Sequence, residues 1–198
     1  MIYNHIPVID SETNRIMKQD IFDKGELSRD TIQDIIKLQH LIWPYKAGEK
    51  NNEIAIDDYI KDESLAINKS ILIWEDNILV GHTEIFCREI ESNGRIIDNM
   101  ALSGVCVRPG FRGKNLGYEL VKTAFDIFER GHFECSVFQT DIPDFYIKFG
   151  CRTITNRFIN SLNAQDPGKN PWWTDNVMIY PGGYNIGSQQ IDLRGNGY

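Results

Sequence analysis

Apolar residues have a helical spacing in the first part of the chain. They recur every three or four positions over Arg29–Ile42, which predicts an amphipathic helix with Ser28 as its N-cap. Pro44 cannot continue a helix and is expected to end this one. A second helix is predicted over 56–65, after a polar loop, and one short strand near Ile6–Val8.

The central part of the chain changes to a strand pattern. Ser70–Trp74 and Ile78–Cys87 are rich in apolar and β-branched residues, and the turn Glu75–Asn77 between them predicts a hairpin. Another strand is predicted over Ile96–Val107, because Pro109 after it has no N–H to donate to a sheet. Consecutive strands of this kind favour antiparallel pairing.

Beyond Pro109, helical and strand patterns alternate. Residues 114–130 return to helical spacing, and Gly131 is suited to the position that follows the end of that helix. The order predicts a single domain, 1–198, with a mixed α/β sheet and helices on both of its faces. The remaining predicted elements are a strand over Glu134–Gln139, a helix over Ile142–Phe149, strands over Arg152–Ile159 and Asn176–Tyr180, and an extended or coiled run after Pro181.

Composition narrows the range of functions. A net charge of −7 opposes binding to nucleic acid or anionic membranes and favours a cationic substrate such as an amine, although solubility alone also explains it. The four cysteines and four histidines lack the spacing of metal ligands, so no metal site is expected. Scattered cysteines and the lack of a secretory signal or a membrane-length apolar run favour a reduced, cytoplasmic protein.

The stretch 104–117 is the most informative about function, because a strand, a glycine-rich turn and a helix follow one another there. The first turn of a helix has unbonded N–H groups and a partial positive charge, which together bind phosphate groups. Gly113 permits close approach of an anion, and Asn115 tolerates left-handed geometry. Arg112 and Lys114 add positive charge. Neither the GxxxxGK[ST] nor the GxGxxG pattern is present, which argues against a nucleoside triphosphate or a dinucleotide.

The same stretch resembles the core motif of the GNAT superfamily of acetyl-CoA-dependent N-acetyltransferases, in which a V-x-V-R-P strand precedes an R/Q-x-x-G-x-G/A loop. Asn115 takes the place of a glycine usual in that loop. The resemblance implies the GNAT fold, with a mixed, mostly antiparallel central sheet, and acetyl-CoA as co-substrate. It implies that the pantetheine arm bonds to the strand residues Val105, Cys106 and Val107, and the pyrophosphate to the loop amides of Arg112, Gly113, Lys114, Asn115, Leu116 and Gly117.

A second segment, Asp144–Cys151, is similar to the family's A-x-x-F-Y-x-x-x-G-F/W pattern. Transfer of acetyl to an amine requires a neutral attacking nitrogen and a proton for the departing thiolate. The resemblance implies that Tyr146 supplies that proton. The alternative is that Tyr146 only packs beside Phe145 and Phe149.

The general base is less clear from the sequence. Ser103 stands where some members of the family carry a glutamate, and a serine there could position a water molecule. An N–H near Val105 or Cys106 would stabilise the oxyanion of the tetrahedral intermediate. Candidate bases on or beside the predicted strands, each equally open to a merely solvated role, are Glu84, Glu89, Glu91 and Asp98.

The end of the chain carries a third resemblance. The segment Ile191–Tyr198 is similar to the end of aminoglycoside 2′-N-acetyltransferases, although Asn196 stands where an acid is expected. This resemblance implies that Asp192 and Tyr198 contact the acceptor; the alternative is a tail that only covers a sheet. Trp173 could form an aromatic wall for a sugar or an acyl chain, and a surface-packing role is the alternative.

The predicted function is direct transfer of acetyl from acetyl-CoA to a primary amine of a small molecule, with amino sugars such as aminoglycosides among the candidates. The alternatives are a longer acyl donor, a catalytically inactive CoA-binding module, and acetylation of protein amines. Neither nucleic acid nor membrane is an expected partner. A homodimer is consistent with the resemblance, and the sequence does not decide the oligomeric state.

Overall fold

The computed structural model describes residues 3–9, 16–44, 56–57, 59, 68–187 and 189–198. Three residues of the predicted second helix, Ile56, Asp57 and Tyr59, are described and are helical; most of that helix lies outside the described residues. The named helices and strands are β1 (Tyr3–Ile9), β2 (Ile16–Asp23), α1 (Arg29–Ile42), β3 (Asn68–Glu75), β4 (Ile78–Ser92), β5 (Arg95–Val107), α2 (Leu116–Arg130), β6 (Ser136–Gln139), α3 (Pro143–Ile147), β7 (Arg152–Ile154), β8 (Phe158–Ile159), β9 (Val177–Tyr180) and β10 (Ile191–Asp192).

The strands form two sheets. The larger has seven strands in the order β1-β2-β3-β4-β10-β8, with β5 also paired to β4, and the smaller has the order β6-β9-β7. Pairing is antiparallel from β1 to β3, between β4 and β10, and throughout the smaller sheet, whereas β8 and β10 run parallel. The predicted mixed, mostly antiparallel α/β class is therefore confirmed.

The chain divides into two compact units. The first consists of Met1–Ile85 and Gly104–Asp126, and the second of Phe86–Ser103 and Ile127–Tyr198. The long strands β4 and β5 contribute residues to both units. The expectation of a single domain stays a prediction.

Helix α1 belongs to the first unit and has the predicted bounds, Arg29–Ile42. The N–H of Thr31 donates a hydrogen bond to the Ser28 side chain at 3.1 Å, which confirms the predicted N-cap. The helix buries Ile35 and Leu38 in a cluster with residues of β3, β4 and β5. Burial of each such side chain contributes about 1.5–3 kcal/mol, which fixes α1 against the strands that carry the candidate site.

The predicted hairpin β3–β4 is confirmed. Asp76 and Asn77 have φ angles of 47° and 66°, the left-handed values that a two-residue turn requires at both central positions. Strand β4 continues beyond the predicted end at Cys87, because Ile90 and Ser92 are buried and the chain end pairs with it. Strand β5 also pairs with β4 and follows it after only Asn93 and Gly94, whose φ angles of 54° and 73° suit a two-residue turn, so the longer strand also has a local partner.

One prediction in the second unit, the continuous strand over Arg152–Ile159, is wrong. Residues 152–159 form two strands in different sheets, β7 beside β9 and β8 beside β10. Between them the Asn156 side-chain amide donates to the carbonyls of Gly187 and Gln189, a contact that competes with a continuous ladder. Gly131 follows the end of α2 at Arg130, as predicted; a Cβ there would lie 2.8 Å from the Phe133 ring, so close packing requires the glycine.

Candidate active site

The glycine-rich loop lies between β5 and α2, as the sequence predicts. A short 3₁₀ turn over Pro109–Phe111 follows the strand. Gly113 and Asn115 then have φ angles of 82° and 65°, so the predicted left-handed geometry at Asn115 is confirmed. This geometry turns the chain sharply into the first residue of α2, Leu116.

The first backbone N–H groups of α2 precede the first hydrogen bond of the helix. The N–H of Glu119 donates to the Asn115 carbonyl at 3.1 Å, which is the first hydrogen bond of the helix. The amides of Leu116 and Gly117 precede that bond and therefore have no acceptor one turn earlier in the helix. Helix α2 has 15 residues, so its dipole places a partial positive charge at this end. The arrangement suits an anion such as a pyrophosphate.

Two cationic side chains lie on the same loop. The Nε of Arg112 donates to the Val107 carbonyl at 3.2 Å, and the Lys114 ammonium lies 5.5 Å from the centre of the Phe111 ring. The first contact holds the loop against the end of β5 and leaves the terminal amino groups of the guanidinium to reach outward. The loop is therefore locally positive in a chain whose net charge is −7.

Strand β5 bends at Gly104, where φ is 63°. Beyond the bend, Val105 and Val107 are half-buried and Cys106 is buried in the cluster beneath α1. Burial raises the pKa of the Cys106 thiol to about 12, although the His82 backbone and the charge of Arg112 oppose the change. A thiol in this state is not a nucleophile at neutral pH, so this segment offers its backbone for binding.

Glu84 belongs to the same unit as the Gly104 bend. It is half-buried on β4 and accepts a hydrogen bond from the Tyr59 hydroxyl at 3.4 Å, and that hydroxyl lies 3.0 Å from the Ser70 hydroxyl. The other candidate bases belong to the second unit. One of them, Glu89, pairs with Arg194 at 3.1 Å, and the remaining two are Glu91 and Asp98. Ser103 is half-buried beside the bend.

Tyr146 lies on α3 in the second unit and is buried. Its ring centre is 4.8 Å from that of Phe138 and 5.0 Å from that of Phe145. Burial raises the pKa of the Tyr146 hydroxyl well above its usual range; the charge of Cys151 adds to this, and a hydrogen bond with Thr140 opposes it. The hydroxyl is therefore protonated at neutral pH, which is the form that a proton donor needs.

Asp192 and Glu91 lie opposite each other on β10 and β4. Both line a cavity of about 380 Å³ in the second unit, together with polar residues of the chain end. The Asp192 carboxylate accepts hydrogen bonds from the backbone N–H groups of Ser161 and Arg194, at 3.0 and 2.9 Å. Burial favours the neutral acid, but these bonds and the charge of Arg194 outweigh it and lower the pKa of Asp192. The carboxylate is charged at neutral pH.

Tyr198 is packed into the second unit. Its hydroxyl donates to the Val137 carbonyl at 2.5 Å and accepts from the Asn99 side chain at 2.9 Å. Its ring lies 5.0 Å from that of Trp172 and 4.9 Å from the Arg88 guanidinium. Trp172 is buried, whereas 72% of the surface of Trp173 is exposed. Tyr198 thus anchors the chain end, and Trp173 offers an aromatic surface.

The sequence matches the family described as an acetyltransferase (GNAT) domain over residues 25–154. This range includes the loop, the Gly104 bend, Glu84 and Tyr146. The chain belongs to the GNAT acetyltransferase family. It is accordingly an acyltransferase, and the match supports the expected acetyl-CoA co-substrate.

The acetyltransferase is also similar to solved structures. An Escherichia coli GNAT family N-acetyltransferase (YhbS) in complex with CoA is 15% identical, with a TM-score of 0.60 and coverage of 92% of this chain and 93% of that one. A Brucella melitensis family member in complex with acetyl-CoA is 19% identical, with a TM-score of 0.50 and coverage of 68% and 82%. A Kribbella flavida GCN5-related N-acetyltransferase is 15% identical, with a TM-score of 0.55 and coverage of 69% of this chain and 33% of that one. This chain therefore spans a third of that protein. No curated protein matches.

The structure places the predicted site residues of the acetyltransferase in two groups. The loop, the strand backbone and Glu84 belong to the first unit, and Ser103, Tyr146, Asp192, Tyr198 and Trp173 to the second. Sequence reasoning missed His82 and Gln39, whose side chains lie against the Gly104 bend. Within the described residues, no helix is long and apolar enough to cross a membrane, and no cluster of three metal-ligating side chains occurs.

Proposed function

We propose that this acetyltransferase transfers acetyl from acetyl-CoA directly to a primary amine of a small molecule. The observation that carries the proposal is the loop before α2, where left-handed Gly113 and Asn115 precede the amides of Leu116 and Gly117. These amides, with Arg112 and Lys114, would bind the pyrophosphate of the cofactor. The backbone of 105–107 would bond the pantetheine arm, as in the family motif.

Two backbone N–H groups, those of Val105 and Cys106, would stabilise the oxyanion at the thioester carbonyl. The amine nitrogen attacks the carbonyl carbon, a C–N bond forms, and the C–S bond breaks. The reaction also releases one proton from the nitrogen and requires one at the sulfur. This direct attack requires no acyl-enzyme, and burial, which raises the pKa of the Cys106 thiol to about 12, makes that side chain a poor nucleophile at neutral pH.

We assign the two proton movements to Glu84 and Tyr146. Glu84 is a half-buried carboxylate in the unit that holds the Gly104 bend, and it would accept the amine proton directly or through a water molecule that Ser103 positions. Tyr146 is protonated at neutral pH and would donate to the departing sulfur. The role of Tyr146 rests on the family motif and on its proton state, and that of Glu84 on its half-buried place on β4.

The acceptor is proposed to be cationic before it reacts. Asp192 is ionised and lines the cavity with Glu91, and Trp173 presents an exposed ring, a combination suited to an amino sugar or a polyamine. The Tyr198 hydroxyl anchors the chain end, which leaves Asp192 and Trp173 as the proposed contacts with the acceptor. A cytoplasmic location and a homodimer stay predictions.

The main alternative is a CoA-binding module without catalysis, which the serine at position 103 favours, because some members of the family carry a glutamate there. A panel of aminoglycosides, polyamines and peptides, assayed for release of free CoA thiol from acetyl-CoA and from longer acyl-CoA donors, separates these functions. Acetylation of at least one small amine supports the proposal. CoA binding with no acceptor turned over would establish the module, and turnover of peptides alone would reassign the acceptor.

A further inference from the structure

His82 lies on β4 and is completely buried. A Cβ placed on Gly104 would lie 3.7 Å from the Nδ1 of the His82 ring and 3.2 Å from the Nε2 of Gln39. The backbone N–H of His82 faces the sulfur of Cys106, two residues beyond the bend. One residue of β4 therefore contacts the segment 104–106 at two points, with its ring at the bend and with its backbone at Cys106.

The imidazole is neutral. Burial lowers the pKa of His82 to about 3, although the Gly104 carbonyl favours the charged form, and the charge of Lys24 lowers it further. Neither ring nitrogen has a hydrogen-bond partner of good geometry within the described residues. A buried polar group left without a partner costs about 1–3 kcal/mol, so a polar side chain at this position calls for an explanation.

A neutral imidazole has one N–H donor and one acceptor nitrogen. The Nδ1 side of the ring faces Gly104, whose carbonyl is close enough to influence the proton affinity of His82. Active-site hydrogen bonds are often long in a free enzyme and shorten when substrate binds. The Gly104 carbonyl is thus a nearby acceptor for the His82 ring, and a small movement of β5 would bring it into hydrogen-bonding geometry.

We propose that His82 is a positioning residue: its Nδ1–H closes onto the Gly104 carbonyl when the donor binds, and so aims the amides of Val105 and Cys106 at the thioester. This inference rests on the proposed function, in which those amides stabilise the oxyanion. His82 itself is not the general base, because a group with a pKa of about 3 does not hold the amine proton at neutral pH. That role stays with Glu84.

Three variants test this role. His82→Leu removes the donor, His82→Asn keeps an N–H near the position of Nδ1, and His132→Asn changes an exposed histidine as the matched control. We expect His82→Leu to lower kcat about tenfold while the Kd of acetyl-CoA changes less than about twofold, because the lost hydrogen bond acts mainly in the transition state. His82→Asn should recover most of kcat, and His132→Asn should match the wild type. A His82→Leu variant with the kcat of the wild type, or a His82→Asn variant as slow as His82→Leu, would overturn the proposal.

A second measurement uses the unaltered protein and does not depend on how the variants fold. Nitrogen-15 NMR of the histidine rings should show His82 as the neutral Nδ1–H tautomer from pH 5 to 8, with the Nδ1–H signal shifting downfield when CoA is added. An Nε2–H tautomer, or an unshifted signal with CoA bound, would refute the role of His82 and leave the proposed function standing. If CoA does not bind at all, the proposed function itself fails.

Discussion

Tyr146 and Cys151 share one buried environment, and burial raises the pKa of both side chains. The pKa of the Cys151 thiol rises to about 12, and that of the Tyr146 hydroxyl moves well above its usual range. The same desolvation would raise the pKa of a thiolate formed in such an environment, so that it takes up a proton more readily. A tyrosine that is a weak acid in water therefore remains a competent hydrogen-bond donor to the departing sulfur in such an environment.

Removing the Tyr146 hydroxyl tests whether it donates a proton to the departing sulfur. Tyr146→Phe should lower kcat about 10- to 100-fold and leave the Kd of CoA nearly unchanged, since the ring still packs on Phe138. Steady-state kinetics with CoA titration measures both values. Tyr180→Phe is the control, because it removes a tyrosine hydroxyl that donates to the Glu129 carboxylate at 2.6 Å in an exposed contact. Unchanged kcat in Tyr146→Phe would remove Tyr146 as the acid.

Asp192 gives a pH-dependent prediction about stability. Its folded-state pKa is lowered, so its contribution is present above the unfolded value of about 3.9 and is lost as the pH falls through the folded value. Asp192→Asn should lower the free energy of unfolding by about 1 kcal/mol at pH 7, with a smaller difference near pH 3. Urea titrations at the two pH values measure this. An equal difference at both would show that the charge of Asp192 contributes nothing.

At the scale of elements, local signals were sufficient for α1 and for the glycine-rich loop. Ser28 caps the helix and Pro44 follows it, so both boundaries are marked within a few residues. The loop is equally local, because its glycines, Asn115 and the next helix are contiguous. The separation of β7 from β8 was missed, because it depends on partners near the chain end. The length of β4 was missed although the turn Asn93–Gly94 that ends it is a local signal.

The contact between His82 and Gly104 was missed, although β4 and β5 are consecutive strands joined by the two-residue turn Asn93–Gly94. The part that sequence spacing does not show is Gln39, which comes from α1 and lies against the same bend. A lone histidine in an apolar strand is a weak signal by itself. Its significance appears only when the bend of β5 places a backbone carbonyl beside a ring that burial keeps neutral.

The bend of β5 can be tested as an element. Gly104→Ala would strain a residue whose φ is 63° and would place a Cβ 3.2 Å from the Gln39 amide. We expect a loss of stability of about 1–2 kcal/mol and a fall in kcat at least as large as that of His82→Leu. Combining Gly104→Ala with Gln39→Ala relieves the contact but not the strain. Full recovery of kcat in the double variant would show that crowding alone, and not the bend, matters.

At the scale of the whole molecule, a chain with a net charge of −7 is proposed to bind an anionic cofactor. The overall negative charge would repel such a cofactor, but the loop before α2 is locally positive. Backbone N–H groups, the helix dipole, Arg112 and Lys114 all lie at this loop. The negative surface elsewhere, with Asp192 and Glu91 on one cavity, is available to a cationic acceptor. Donor and acceptor would thus be recognised by opposite charges on one chain.

The measurement that tests the central claim most directly is the Kd of CoA for two matched glycine variants. Gly113→Val and Gly94→Val both place a β-branched residue at a left-handed φ, 82° and 73°, where a Cβ meets nothing within 4 Å. The strain is therefore similar, but only Gly113 belongs to the loop before α2. Calorimetric titration should show CoA binding at least about tenfold weaker in Gly113→Val and within about twofold of the wild type in Gly94→Val. Equal affinities in the two variants, or no binding by the wild type, would contradict the assignment of the pyrophosphate to this loop.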